Sequence, residues 1–223
     1  KRGIIMKIIS INAGSSSLKF NLFEMNDESV LVSGNFERIG SDGSGYTIKL
    51  NGQKITETVP LNNHTAAVTI LLDKLIALEV IHSLDEIKGV GHRIVHGGSK
   101  YSKSVFVTDQ VISDIEEFKE FAPLHNPAHL LGIKAFKEAL PDVPMVVVFD
   151  TAFHQTMSED TYLYPVPYRW YKDYAVHKYG AHGTSHRYIA ETVKELLHRD
   201  DFKLISCHIG NGGSITAIQN MKC

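Results

Sequence analysis

The 223-residue chain is 43% hydrophobic and 22% charged, with 23 Lys and Arg against 25 Asp and Glu. This is the make-up of a folded globular protein and excludes disordered, collagenous and coiled-coil classes. A formal net charge of -2 leaves no global basic field for a nucleic-acid backbone or an anionic membrane, and no run of eighteen apolar residues suits a membrane span.

Residues 1–7 carry three cations around a short apolar patch with no small-residue cleavage site, so no export signal is read there. Met6 stands just before the first strand-like run, and residues 1–5 read as upstream of it. Two cysteines, Cys207 and Cys223, are too few for a disulfide framework, and a reducing cytoplasm is the simplest compartment.

Residues 7–12 (KIISIN) form a β-branched run that ends in small residues, after which Leu18, Phe20 and Leu22 alternate with polar neighbours. The expectation is a strand, a small-residue loop over 13–17 and a second strand. Further strands over 30–36, 46–50 and 54–59, with turns over 40–45 and at Asn51-Gly52, make the opening an antiparallel sheet. Apolar residues from Val68 to Leu78 at helical spacing predict an amphipathic helix over 64–81.

A strand over 87–95 ends at Gly97-Gly98, and helices are expected over 109–121 and 128–140. The run over 143–149 reads as a buried central strand, with Asp150 at its carboxyl end, where open α/β sheets place ligands. Residues 162–179 are aromatic with little periodicity and read as a crossing between units. A helix over 184–197, another buried strand over 203–209, a glycine loop and a strand over 214–218 complete the chain. The last strand-loop-strand repeats the first, with Ile9, Ser10 and Gly14 matched by Ile205, Ser206 and Gly210.

Several clusters carry chemistry. Residues 12–19 (NAGSSSLK) gather a carboxamide, three hydroxyls, a glycine and an ammonium, which suits either a phosphate cradle or a polar turn. The spacing matches neither a P-loop nor a nucleophile elbow. Gly210, Asn211, Gly212 and Gly213 form a second such loop directly after a strand, and their spacing fails the dinucleotide fingerprint. Arg93 interrupts a strand pattern fit for burial, so its partner is a transferred phosphoryl, a carboxylate or a structural Asp or Glu.

Asp150 suits orienting a nucleophile or a metal-bound water, and equally suits capping a helix. His182 and His186 have the i,i+4 spacing of a zinc pair, but Gly183 stands where a zincin needs Glu. That glycine places His182 before the helix, where it serves a developing phosphoryl charge or a capping role. Leu124, His125, Asn126 and Pro127 either line a small pocket or start a helix.

Six segments, 12–20 (NAGSSSLKF), 91–98 (GHRIVHGG), 122–127 (APLHNP), 149–156 (FDTAFHQT), 182–186 (HGTSH) and 208–212 (HIGNG), resemble the signature segments of acetate kinases, in the family's order. The resemblance implies an α/β chain with the duplicated ribonuclease-H-like ATPase fold of the acetate and sugar kinase, actin and heat-shock ATPase superfamily. It implies a first domain over residues 1–155 and the opening of a second, nucleotide-binding domain over 156–223. It also implies reversible phosphoryl transfer between ATP and acetate, giving acetyl phosphate and ADP, with Mg²⁺, in a cytoplasmic homodimer that binds neither nucleic acid nor membrane.

Carried over residue by residue, Asn12 lies near the metal, and Ser15, Ser17 and Lys19 near the phosphates. Arg93, Val95 and Leu124 serve the acyl substrate, and Asp150, Arg93 and His182 are catalytic. His208, Ile209, Gly210, Asn211 and Gly212 form an ATP phosphate loop. Ala181 stands where the family has phenylalanine, a difference that bears on pocket shape. Family chains are nearly twice as long, so the resemblance implies an amino-terminal portion whose second active-site arginine lies elsewhere. Propionate and butyrate kinases, and a catalytically silent phosphate- or nucleotide-binding fragment, are the alternative readings.

Overall fold

A computed structural model describes residues 6–223, so the reading of residues 1–5 lies outside the described residues. The chain divides into two compact units, one of residues up to 94 together with 105–147, the other of residues 95–104 and 148–223.

Five strands open the first unit as an antiparallel meander: β1 (Lys7–Gly14), β2 (Ser17–Glu24), β3 (Ser29–Glu37), β4 (Gly45–Leu50) and β5 (Gln53–Thr58). The helix α1 (His64–Ala77) then returns the chain so that β6 (Ile87–Ile94) pairs parallel to β1. After β7 (Val105–Phe106), α2 (Asp109–Glu117) and α3 (Asn126–Ala139), β8 (Met145–Phe149) joins the sheet. Among the described residues its order is β5-β4-β3-β2-β1-β6-β8-β7.

Strict alternation in β1 buries Ile9, Ile11 and Ala13 on one face, and the facing strand buries Leu18, Phe20 and Leu22. Against this face α1 presents Val68, Leu71, Leu72 and Leu75, and α3 packs on both α1 and β1. Lys7 is buried at the start of β1 because Glu86 meets its ammonium at 2.6 Å. That hydrogen bond is the main reason the Glu86 carboxyl falls to about 2 from its ordinary 4.5.

The helix α1 starts where Asn63 Oδ1 accepts from the Ala66 amide at 2.9 Å, and stops before the expected residue 81 because Glu79 turns left-handed at φ 56°. Asn63→Ala leaves that amide without its cap and is expected to cost about 1 kcal/mol, read as a lower urea midpoint at unchanged slope.

The second unit contains the short helices α4 (Glu159–Tyr162) and α5 (Tyr168–Tyr174), then α6 (Gly183–Leu197) and the hairpin β9 (Lys203–Ile209) and β10 (Gly213–Gln219). The aromatic stretch read as an irregular crossing is therefore partly helical.

Two other expectations are corrected. The small-residue loop over 13–17 is a two-residue hairpin turn, Ser15 and Ser16, since Gly14 already pairs with Ser17. The strand β9 is not buried on both faces. Among the described residues it pairs only with β10, and while Ser206 is buried, Ile205 and Ile209 are 65% and 74% exposed. An apolar run buries both faces of a strand only where elements cover both, and α6 covers one.

Candidate active site

Two groups of the expected site residues form, one in each unit. In the first unit the β1–β2 register sets Asn12 opposite Lys19 and Gly14 opposite Ser17. Residues opposite one another share a face of the sheet. Since Ile11, Ala13, Leu18 and Phe20 take the core face, Asn12, Ser17 and Lys19 lie on the other. The same logic places Arg93: β6 runs parallel to β1 with His92 beside Ile11, both buried, so the next residue falls on the Asn12 face.

A carboxamide, a hydroxyl, an ammonium and a guanidinium thus share one sheet face, toward the carboxyl ends of β1 and β6. Arg93 is half-buried there. That corrects the expectation of a buried arginine, because the alternation in β6 sends His92 and Ile94, not Arg93, into the core.

The turn that carries Ser15 is held from below. His64 Nε2 donates to the Gly14 carbonyl at 2.8 Å, tying the start of α1 to the hairpin. On α3, a Cβ at Gly132 would sit 2.8 Å from the Ala13 methyl, so helix and hairpin meet at van der Waals contact only because this residue is glycine. Leu124, in the loop before α3, is 78% exposed and offers an unobstructed apolar side chain.

In the second unit, Val95 is half-buried in a segment pinned at several points. The Gly97 amide donates to Thr151 Oγ1 at 3.1 Å, Gln155 Nε2 donates to the Gly98 carbonyl at 2.8 Å, and the Tyr101 ring stacks on Phe149 at 4.5 Å. Thr151 and Gln155 therefore hold the Gly97-Gly98 turn.

Asp150 is 3% exposed at the end of β8. Its carbonyl accepts from the Gly183 amide at 2.8 Å and its carboxylate accepts from the Thr184 hydroxyl at 3.4 Å. The helix-cap alternative fails, because His182 is the N-cap of α6 and Ala152 that of the following short turn.

His182 takes a left-handed backbone, φ 54°, immediately before α6, as the glycine after it suggested. Its Nδ1 lies 2.8 Å from Ser214 Oγ, and its ring stacks on His208 at 4.2 Å and 21°. His208 Nδ1 lies 3.0 Å from Ser185 Oγ. His186, fully buried, meets Ser206 Oγ through Nδ1 and Ser214 Oγ through Nε2, both at 2.8 Å. The i,i+4 histidines thus converge on a hydroxyl. Burial, then the neighbouring His154, His208 and His182, lowers the His186 pKa and favours its neutral form.

The glycine loop closes on itself through a Gly210 amide to Gly212 carbonyl bond of 2.9 Å, and Asn211 is exposed at its tip. His154 reaches the Ala181 carbonyl through Nε2 at 2.9 Å, so the residue that replaces phenylalanine contributes its backbone, and its methyl is exposed.

No role was read for Ser185, Ser206 or Ser214, although Ser185 lies in the 182–186 segment and Ser206 in the internal repeat, because the local sequence does not mark which partner a serine will meet. The helical spacing of His182 and His186 was the one clue that two rings share a side of α6.

The sequence matches the model of the Acetokinase family over residues 7–223. The chain belongs to the acetokinase family. It is 57% identical to the acetate kinase of Geobacillus sp. (strain WCH70) across 97% of this chain and 55% of that one, and equally to that of Bacillus subtilis (strain 168). Among solved structures it resembles Porphyromonas gingivalis acetate kinase, with a TM-score of 0.93 at 44% identity, covering 97% of this chain and 56% of that one. A propionate kinase from Francisella tularensis subsp. tularensis SCHU S4 gives a TM-score of 0.92 at 38% identity, covering 98% and 56%. This acetokinase chain therefore spans about half the length of the relatives it matches, and its α/β fold is that of the family.

Proposed function

We propose that this chain is part of an acetate kinase, which transfers a phosphoryl group between ATP and acetate to give acetyl phosphate and ADP. The observation that carries the reading is 57% identity to acetate kinases across 97% of the chain. Acetate is itself the nucleophile: a carboxylate oxygen forms the new bond to the γ-phosphorus as the bond to ADP breaks. No proton has to be removed. The protein's task is to position the reactants and offset charge.

Arg93 pairs with the acetate carboxylate and the phosphoryl in flight through its planar fork of donors. Val95 and Leu124 bound the methyl group. Ser15, Ser17, Lys19 and the loop from His208 through Ile209, Gly210 and Asn211 to Gly212 receive nucleotide phosphates. Asp150 orients substrate and water, and His182 donates to the charge that builds on the phosphoryl.

Mg²⁺ bound mainly through nucleotide phosphates takes only one or two protein oxygens. The Asn12 carboxamide oxygen, on the same sheet face as Lys19 and Arg93, suits that donor set. The ion would draw charge from the β- and γ-phosphates. We further read the whole protein as a cytoplasmic homodimer acting on these small molecules, with no nucleic-acid or membrane partner. In support, no helix among the described residues is long and apolar enough to cross a membrane.

The likeness to a propionate kinase favours one second reading, a longer acyl acceptor. One methylene changes binding by about 1–3 kcal/mol. Hydroxylamine trapping of acyl phosphate from Mg-ATP with acetate, propionate or butyrate, by this chain and by the whole gene product, decides between them. Acetate is expected to react best in the whole product and Arg93→Ala to abolish trapping. Preference for propionate installs the second reading, and silence of the whole product with all three acids overturns both.

A further inference from the structure

We infer that Ser214 is a positioning residue that holds His182 as its neutral Nε2–H tautomer, through a proton chain running from Ser206 by way of His186. The consequence for rate rests on the proposed phosphoryl transfer, whereas the tautomer itself does not. Ser214 Oγ lies 2.8 Å from His182 Nδ1 and 2.8 Å from His186 Nε2. A hydroxyl has one hydrogen to give and two lone pairs, so it either donates to one ring and accepts from the other or accepts from both. Where it donates to one ring, the two imidazole tautomers are coupled.

Three proton arrangements satisfy the geometry. In the first, Ser206 O–H donates to His186 Nδ1, His186 Nε2–H to Ser214, and Ser214 O–H to His182 Nδ1, so that the His182 proton sits on Nε2. In the second every bond reverses, and His182 Nε2 carries a lone pair; in the third Ser214 accepts from both rings, and His182 Nε2 again carries a lone pair. That nitrogen borders the glycine loop, since a Cβ on Gly212 would lie 3.7 Å from it. Toward an anionic phosphoryl only the first polarity offers a donor from an uncharged ring.

The neighbouring groups fix the rings of the chain in place. The His182 ring stacks at 4.2 Å on His208, whose Nδ1 is itself engaged by Ser185. His186 is fully buried between its two hydroxyls. The second hydroxyl contact is what distinguishes Ser214 from a simple capping residue.

The test uses long-range ¹H–¹⁵N correlation spectra of the chain labelled with ¹⁵N-histidine, for the parent, Ser214→Ala and Ser214→Thr, beside kinetics of the same variants in the whole gene product. The parent is expected to show His182 protonated at Nε2. In Ser214→Ala that signal becomes a tautomer mixture and kcat falls about tenfold, the scale of one net hydrogen bond, with KM for acetate and ATP held within about twofold. Ser214→Thr keeps a hydroxyl and restores both readouts. A parent ring protonated at Nδ1, or a tautomer unchanged in Ser214→Ala, overturns the inference. If the whole product forms no acyl phosphate, the functional reading fails while the spectra still decide the tautomer.

Discussion

Gly183→Ala is expected to lower both stability and catalysis, although alanine is by about 1 kcal/mol the better helix former. The added Cβ would fall inside contact distance of the Asp150 carbonyl oxygen and 3.2 Å from His154 Cδ2. Neither can yield easily: Asp150 is buried at the end of a strand, and its carbonyl holds the Gly183 amide at 2.8 Å. Overpacking a rigid site costs about 1–3 kcal/mol, and the lost amide bond adds about 1, so sterics outweigh propensity.

For a chain of this size Tm should fall by about 2–4 °C for each net kcal/mol, measurable by thermal unfolding. The same collision pushes the first turn of α6, and with it His182, away from Asp150. A displacement of about 1 Å is enough to cost roughly 100-fold in kcat, read in the whole gene product by acyl-phosphate trapping. Parent-like Tm and rate together would show that the close approach of Gly183 to Asp150 has no consequence.

Acid should unfold the protein through two buried histidines as well as through its carboxylates. His92 is 2% exposed against the Phe136 ring, and burial, with His129 adding to it, brings its pKa from 6.5 to about 3. Burial, then His177, brings His96 to about 4. The folded pKa values are depressed, so both contributions are fully present above about pH 6.5. They are lost as the pH falls toward 3 and 4, because there the unfolded chain binds protons that the folded rings refuse.

Each histidine then removes about 1.4 kcal/mol of stability per pH unit through the middle of its window. Urea midpoints measured from pH 7.5 to 4 should fall steeply, and His92→Phe, which keeps a flat ring and removes the titrating nitrogens, should flatten the fall. The His92 Nε2 has no hydrogen-bond partner among the described residues, so phenylalanine abandons no bond seen at that atom. The Lys7–Glu86 pair acts in a different window: the depressed Glu86 pKa keeps its contribution intact above 4.5 and loses it only toward 2. An unchanged pH slope in His92→Phe would remove the histidine from the account.

Much of the architecture was legible as pattern. The alternation of Ile9, Ile11 and Ala13, the Asn51-Gly52 turn, and the helical spacing from Val68 to Leu75 each report a local preference that the tertiary structure did not override. Gly183 marked His182 as preceding α6, while the reason for glycine there, its close approach to the Asp150 carbonyl, is tertiary. The errors have a common cause. The small-residue loop shrank to Ser15 and Ser16, and β9 proved to be covered on one face only, because pairing and cover are supplied by other segments.

By itself the sequence determined the family, the order of the longer strands and helices, and the residue types available for chemistry, since these are written in local periodicity and in short segments of fixed spacing. Only the tertiary structure decided that Arg93 shares a sheet face with Asn12 and Lys19, because that follows from a parallel register between strands some eighty residues apart. Likewise, only folding joined Ser206 and Ser214 to His182 and His186. A hydrogen bond is specified by where two atoms meet in space, and no local pattern records which distant hydroxyl will meet an imidazole.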